Sequence, residues 1–100
     1  GLIENARRLG DYLAGRLAEM DARLPSTAGT RGLGLLRGLI LADDIDPAAT
    51  IAALHGAGLL LTLAGGHVIR ISPALNVTRE ELDEGLSILE KILEDAPRKT

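Results

Sequence analysis

The sequence predicts an α+β domain in which helices cover one face of a small three-stranded sheet. The order of its hydrophobic patterns along 100 residues is helix, strand, helix, strand, strand, helix, or α-β-α-β-β-α. Hydrophobic residues make up 46% of the chain and the mean hydropathy is +0.18, values that are typical of a globular protein. The length corresponds to a single domain, residues 1–100, and the core must be aliphatic because Tyr12 is the only aromatic residue.

The first predicted element is an amphipathic helix over residues 2–24. Apolar residues recur there at steps of three and four, and charged residues occupy the opposite face. Pro25 ends the pattern. Gly10 and Gly15 each cost about 1 kcal/mol relative to alanine within a helix. We therefore expect tertiary packing to compensate, or these glycines to admit a close neighbour.

Residues 31–42 predict one long strand, because this apolar run lacks helical periodicity. Its glycines suit a bulge or the close approach of another backbone. The run also lacks polar–apolar alternation, which is typical of a strand covered on both faces. Three helices in 100 residues cannot cover both faces of the sheet well, so we expect something outside this chain to cover one of them.

A loop, a short helix and a hairpin follow this strand. Asp46 is the predicted N-cap of the helix, with a proline at the first helical position, and Gly56 or Gly58 takes the left-handed position at its end. Two apolar runs, residues 59–63 and 67–71, flank a turn that contains glycine. This arrangement predicts a β-hairpin.

The last helix has the strongest start signal in the chain. Thr78 and Glu81 have the spacing of a capping box, and Val77 with Leu82 forms the matching hydrophobic staple. The predicted buried stripe follows at helical spacing: Leu82, Leu86, Leu89 and Leu93.

Composition excludes several classes of function. A net charge of −3 and a pI near 5.3 disfavour nucleic acid as a partner. No apolar run approaches the roughly 18 residues of a membrane span, so no membrane partner is expected. The chain has no cysteine, which excludes disulfides, thiolate chemistry and zinc-finger sites and favours a cytoplasmic location.

Several polar or glycine-rich motifs do not support a site. The stretch 32–38 does not fit a phosphate-binding loop, because its third glycine is one residue late and it lies inside a predicted strand. His55 is near a helix end, where an imidazole can interact with terminal carbonyl groups. Neither His55 nor His67 has the acidic or cysteine neighbours of a metal site. Three acids in the loop before the second helix lack the glycine and glutamate of a calcium loop: Asp43, Asp44 and Asp46.

Arg70 is the candidate functional residue, because it stands inside a predicted strand. Side chains alternate along a strand, so Val68 and Arg70 share one face while Ile69 and Ile71 share the other. We expect the isoleucines to contact the helices and Arg70 to project from the opposite face. The pattern alone favours a solvated arginine, and the alternative is a guanidinium that binds a carboxylate in a bidentate manner.

Three stretches resemble a known family when they are taken in order. Residues 57–86, AGLLLTLAGGHVIRISPALNVTREELDEGL, combine a GLL strand, a VIR strand, a proline, an LNVT stretch and an acidic helix start. Residues 31–38, RGLGLLRG, match the pattern RGxGLxxG, and residues 4–17, ENARRLGDYLAGRL, match a helix of the pattern EN…LG.YL…L. Together they resemble class III pyridoxal-phosphate aminotransferases, most nearly the acetylornithine and ornithine aminotransferase branch.

The resemblance implies that residues 1–100 are the small C-terminal domain of a two-domain, fold-type I enzyme, and so a fragment of a larger protein. Such an enzyme moves an amino group between acetylornithine, or a related ω-amine, and 2-oxoglutarate. The implied partners are its large cofactor-binding domain, a second subunit in a homodimer, and amino-acid and 2-oxo-acid substrates. Arg70 matches the family's arginine that binds the substrate α-carboxylate.

The resemblance also implies where the cofactor binds. Pyridoxal 5'-phosphate, its Schiff-base lysine and its phosphate-binding loop belong to the large domain, and neither Lys91 nor Lys99 matches the cofactor position. We therefore expect no catalytic, cofactor-binding or metal-binding residue in this chain, and no activity from the chain alone. A second interpretation is a stand-alone α+β interaction or ligand-sensing module that self-associates through its sheet.

Overall fold

Seven elements follow one another in the computed structural model, which describes residues 1–100. They are α1 (Leu2–Arg23), β1 (Thr27–Leu33), β2 (Leu36–Leu41), α2 (Pro47–Gly56), β3 (Thr62–Ala64), β4 (Val68–Ile71) and α3 (Arg79–Glu94). The strands form one antiparallel sheet in the order β1-β2-β4-β3. The α+β class is confirmed. The three-stranded sheet and the order α-β-α-β-β-α are wrong, because the observed order is α-β-β-α-β-β-α with four strands.

The predicted strand 31–42 is in fact a hairpin. Leu33 pairs with Leu36, so Gly34 and Leu35 form a two-residue turn between β1 and β2. Gly34 has a φ of +54° and Leu35 does not have a positive φ, as expected at the two central residues of a type II′ turn. Leu35 is buried in the core. The turn therefore carries an apolar residue, and this is why the sequence pattern continued through it.

The close approach expected at a helical glycine occurs at Gly10. A Cβ built on Gly10 would lie 2.7 Å from the carbonyl carbon and oxygen of Gly34, so α1 and the β1–β2 turn are in backbone contact. Gly15 has no atom within 4 Å of its Cβ position. The bulge expected at the glycines of 31–42 is not found there, and the register shift of β1 lies earlier, between Thr27 and Thr30.

Both predicted helix starts are confirmed. The side chain of Asp46 accepts a hydrogen bond from the backbone N–H of Ala49 at 3.0 Å, which caps α2. Thr78 Oγ1 accepts from the N–H of Glu81 at 3.1 Å, and the Glu81 side chain accepts from the N–H of Thr78 at 2.9 Å. This reciprocal pair is the capping box of α3, and it satisfies two of the backbone donors that a helix start leaves free.

The second hairpin is confirmed with shifted strand boundaries. β3 is shorter than predicted and begins at Thr62 rather than at residue 59, whereas β4 agrees with the prediction to within one residue. Gly65 and Gly66 of the turn have φ values of +62° and +85°, which only glycine adopts readily.

The core lies between the helices and one face of the sheet. Its strand residues are Leu39 and Leu41 of β2 and Ile69 and Ile71 of β4, all on the same face. The predicted stripe of α3 is buried against this face, together with the stripe of α1: Leu9, Leu13, Leu17 and Met20. None of the three helices is long and apolar enough to cross a membrane.

Candidate functional site

The sheet face opposite the helices is called the open face here. Strand pairing brings Arg31 of β1, Gly38 of β2, Arg70 of β4 and Thr62 of β3 into one row across it. Residues that stand directly opposite each other in antiparallel strands point to the same side of the sheet. The row therefore places two arginines on the open face, one on each side of a glycine.

Arg70 occupies the position expected for it. Its neighbours Ile69 and Ile71 are buried in the core with 0% and 6% of their surface exposed, whereas Arg70 is exposed. Its side chain makes no hydrogen bond or ion pair within the chain. Since the backbone is paired with β2 on one side and β3 on the other, the Arg70 side chain starts from a rigid central strand.

Part of the open face is shielded from solvent by the chain itself, and part of it is exposed. Val68 is 2% exposed and Ile40 is half-buried, although neither belongs to the side of the sheet that the helices cover. Leu33 and Leu36, by contrast, are 85% and 57% exposed at the end of the β1–β2 hairpin. The bare leucines of the open face therefore lie at this hairpin end, whereas the other exposed large apolar residues lie outside the sheet strands: Leu2, Ile3, Leu60 and Leu75.

A shallow hollow of about 160 Å³ lies on this face around Gly38. None of the residues that line it is acidic: Arg31, Gly32, Leu36, Arg37, Gly38, Ala64, Val68 and Arg70. Arg37 is engaged by the backbone of the β1–β2 hairpin, since its Nε donates to the carbonyl of Gly34 at 2.7 Å and its Nη1 donates to that of Gly32 at 3.1 Å. Arg31 and Arg70 have no such partner and are both exposed.

Three arginines in other parts of the chain are paired with acidic side chains. Arg16 Nη1 donates to the Asp83 carboxylate at 2.7 Å and to the Tyr12 hydroxyl at 3.0 Å, which joins α1 to α3. The Tyr12 hydrogen bond is the largest of the effects that raise the pKa of Arg16, so its guanidinium stays charged. Two more arginines form ion pairs: Arg23 with Glu90 and Glu94, and Arg98 with Asp44. The two arginines of the open face differ from these in lacking an acidic neighbour.

The remaining polar residues singled out in the sequence lie apart from one another. His55 Nε2 is 2.8 Å from the carbonyl oxygen of Leu61, and His67 Nδ1 is 3.1 Å from that of Gly65. Asp44 forms its ion pair with Arg98, and Asp46 caps α2 as described. No group of three His, Cys, Asp or Glu side chains lies close enough to hold a metal ion.

Sequence reasoning singled out Arg70 as a candidate and did not single out Arg31. The strand pairing that places Arg31 near Arg70 depends on the β1–β2 hairpin, and that hairpin was predicted as one strand. The signal that could have found it is the two-residue spacing Leu33-Gly34-Leu35-Leu36, with a glycine at the first turn position.

The family of this chain can be established by comparison. The model of class-III aminotransferases matches residues 1–93. The chain belongs to the class-III aminotransferase family. Its sequence is 45% identical over 100 residues to the acetylornithine aminotransferase of Gloeobacter violaceus, and this match covers 96% of the chain and 24% of the relative.

Solved structures of the family have the same fold. The ornithine δ-aminotransferase of Plasmodium falciparum superposes with a TM-score of 0.87 at 28% identity, over 93% of this chain and 25% of that one. The ornithine aminotransferase of Toxoplasma gondii, described with partial occupancy of PLP at its active site, superposes with a TM-score of 0.83 at 30% identity, over 92% and 22%. The chain thus spans about a quarter of the length of the proteins that it matches.

Proposed function

We propose that this chain is the small C-terminal domain of a pyridoxal-phosphate-dependent aminotransferase of the acetylornithine or succinylornithine:2-oxoglutarate type. Within that enzyme, Arg70 binds a substrate carboxylate. The observation that carries the proposal is an exposed arginine without an acidic partner, held on a central strand whose neighbouring side chains are locked in the core. Family membership supports the reaction class.

The position of Arg70 suits the binding of a carboxylate. Its guanidinium presents N–H donors in a planar fork that matches the two oxygens of a carboxylate. The strand fixes the backbone, so binding has to order only the Arg70 side chain. An arginine placed in this way fixes one end of the substrate, and the reacting carbon is then positioned relative to the rest of the enzyme.

The remaining three quarters of the enzyme supply the proposed partner, a large domain that covers the open face. The exposed Leu33 and Leu36 support this, since bare leucines at a hairpin end are typical of surface that another domain buries. The homodimer and the cytoplasmic location stay predictions, drawn from the family resemblance and from the absence of cysteine.

The chain's own residues do not form a site for pyridoxal 5'-phosphate. Lys91 is exposed on α3, which packs on the side of the sheet opposite Arg70, and Lys99 lies near the C-terminus, where its backbone N–H donates to Asp44. We therefore assign the cofactor to the large domain, where it would supply the electron sink of the reaction. No lysine of this chain can form a Schiff base next to Arg70.

The proposal is tested with Arg70→Lys in the complete enzyme. Lysine keeps the charge and loses the bidentate fork, and a lost hydrogen bond to a charged group costs about 1.5–3 kcal/mol. The loss of one bond of the fork corresponds to a fall of about 10- to 100-fold in kcat/KM for glutamate and 2-oxoglutarate. Steady-state kinetics measure this fall, and the absorption spectrum of the bound cofactor should not change.

Arg7→Gln is the matched control, because Arg7 is an exposed arginine of α1 without a partner in the chain, and α1 packs on the side of the sheet opposite the open face. It should leave KM for both dicarboxylates unchanged. If Arg70→Lys behaves like Arg7→Gln, Arg70 does not bind the carboxylate.

The stand-alone module is a second candidate, and the exposed Leu33 and Leu36 are the observation that favours it, since a second copy of the chain could bury them. Both candidates predict that the isolated chain self-associates, so the length of the parent reading frame separates them. A frame with about 300 further residues supports the enzyme, given that the chain covers 24% of its relative. A frame of about 100 codons supports the module.

A further inference from the structure

Arg31 and Arg70 form an uncompensated pair of cations on the open face. They stand in the same row of the sheet on either side of Gly38, and both line the hollow around it. Neighbouring strands are about 4.8 Å apart, so the two backbones are separated by roughly 10 Å. Two long side chains that start at this separation can both reach a small anion placed between them.

Gly38 keeps the space between the two arginines open. A Cβ at this position would lie 2.8 Å from Cγ1 of Val68 and 3.5 Å from Cγ of Arg31. Any larger side chain would displace Val68 and fill the floor of the hollow. The row thus consists of two cationic side chains with a bare backbone between them, which is an arrangement suited to an anion.

The charges around the hollow also favour the binding of an anion. No acidic residue lines it, and Arg37, the third arginine present, is held by two backbone carbonyls. Two neighbouring cations without a counter-charge repel each other, and an anion that contacts both relieves the repulsion. A carboxylate can accept hydrogen bonds at four lone-pair positions, enough for two guanidinium groups.

We propose that Arg31 is a second carboxylate-binding residue, which holds the same substrate carboxylate as Arg70 across Gly38. The inference rests on the proposed function of Arg70 and extends it from one arginine to a two-arginine clamp. The ligand class is a small dicarboxylate, an amino acid or 2-oxo acid with a carboxylate that fits between the two guanidinium groups. The clamp makes this end of the site selective for a full negative charge over a neutral amide or ester.

The test is the binding of glutarate to the complete enzyme by titration calorimetry. Glutarate has two carboxylates and no amino or oxo group, so it reports on carboxylate binding without turnover. Arg31→Gln should weaken glutarate binding by about 10-fold or more, as expected for a lost charge-assisted bond. Arg31→Lys should recover part of the loss, and Arg7→Gln, the matched control, should bind as the wild type does.

The double variant separates a shared anion from two independent effects. If both arginines hold one carboxylate, Arg31→Gln combined with Arg70→Gln should weaken binding by clearly less than the product of the two single changes. If the double variant weakens glutarate binding by the full product of the two single-variant factors, the clamp is wrong. The clamp is also wrong if the dissociation constant of Arg31→Gln for glutarate lies within about twofold of that of the wild type. In the latter case a loss of thermal stability would identify Arg31 as a partner of an acidic side chain in the large domain.

The design distinguishes the failure of the inference from the failure of the proposed function. If Arg70→Gln weakens binding and Arg31→Gln does not, only the clamp is wrong. If neither changes the affinity, or if the wild-type enzyme does not bind glutarate at millimolar concentration, the carboxylate site itself is wrong.

Discussion

The contact between Gly10 and Gly34 predicts that glycine-to-alanine substitutions at two positions of α1 change the stability in opposite directions. Glycine to alanine in the middle of a helix is ordinarily stabilising by about 1 kcal/mol. At Gly10 the new Cβ would lie 2.7 Å from backbone atoms of Gly34, which cannot rotate away as a side chain could. Overpacking of this kind costs about 1–3 kcal/mol, and the upper end applies because the contact is with backbone.

Gly10→Ala should therefore lower the free energy of unfolding by about 2 kcal/mol, after the helix propensity gain of about 1 kcal/mol is subtracted. Gly15→Ala in the same helix has open space around the new Cβ and should raise it by about 1 kcal/mol. The difference of about 3 kcal/mol corresponds to roughly 12–24 °C in Tm for a domain of this size. Urea unfolding and thermal melts of the two variants measure it, and equal stabilisation of both would refute the packing of α1 on the β1–β2 turn.

Further predictions concern the helix cap, the core and the two exposed arginines. Thr78→Ala should cost about 1 kcal/mol by removing the capping box of α3, and Thr78→Ser should cost much less; urea midpoints compare the two. Leu13→Ala should lower the free energy of unfolding by about 2–5 kcal/mol with an unchanged denaturant slope, because Leu13 is fully buried. A loss below about 1 kcal/mol would show that Leu13 is not a core residue. The kinetics of Arg70→Lys and the glutarate affinity of Arg31→Gln complete the set, with the outcomes given above.

The sequence predicts the helices well because their signals are local. Asp46 and Thr78 reveal the starts of α2 and α3 through hydrogen bonds that span only three residues. Pro25 and the apolar spacing bound α1 in the same way. The fold class follows from these helices together with the apolar strands, since a helix with an apolar stripe must bury it against another element and the strands supply a sheet.

The number and order of strands were harder to predict because the first turn does not look like a turn. Leu35 is a core residue, and its burial against the helices decides the conformation that Gly34 makes possible. Tertiary packing therefore overrides the local pattern at this point. Arg70 could be placed on the correct face from alternation alone, whereas Arg31 needed the pairing of β1 with β2 and of β2 with β4.

The most direct test of the account is a crystal structure of the complete enzyme with 2-oxoglutarate or glutarate bound. We predict a carboxylate on the open face, with its oxygens about 2.7–2.9 Å from guanidinium nitrogens of Arg70. A ligand bound elsewhere, with Arg70 paired to an acidic side chain of the large domain, would contradict the account.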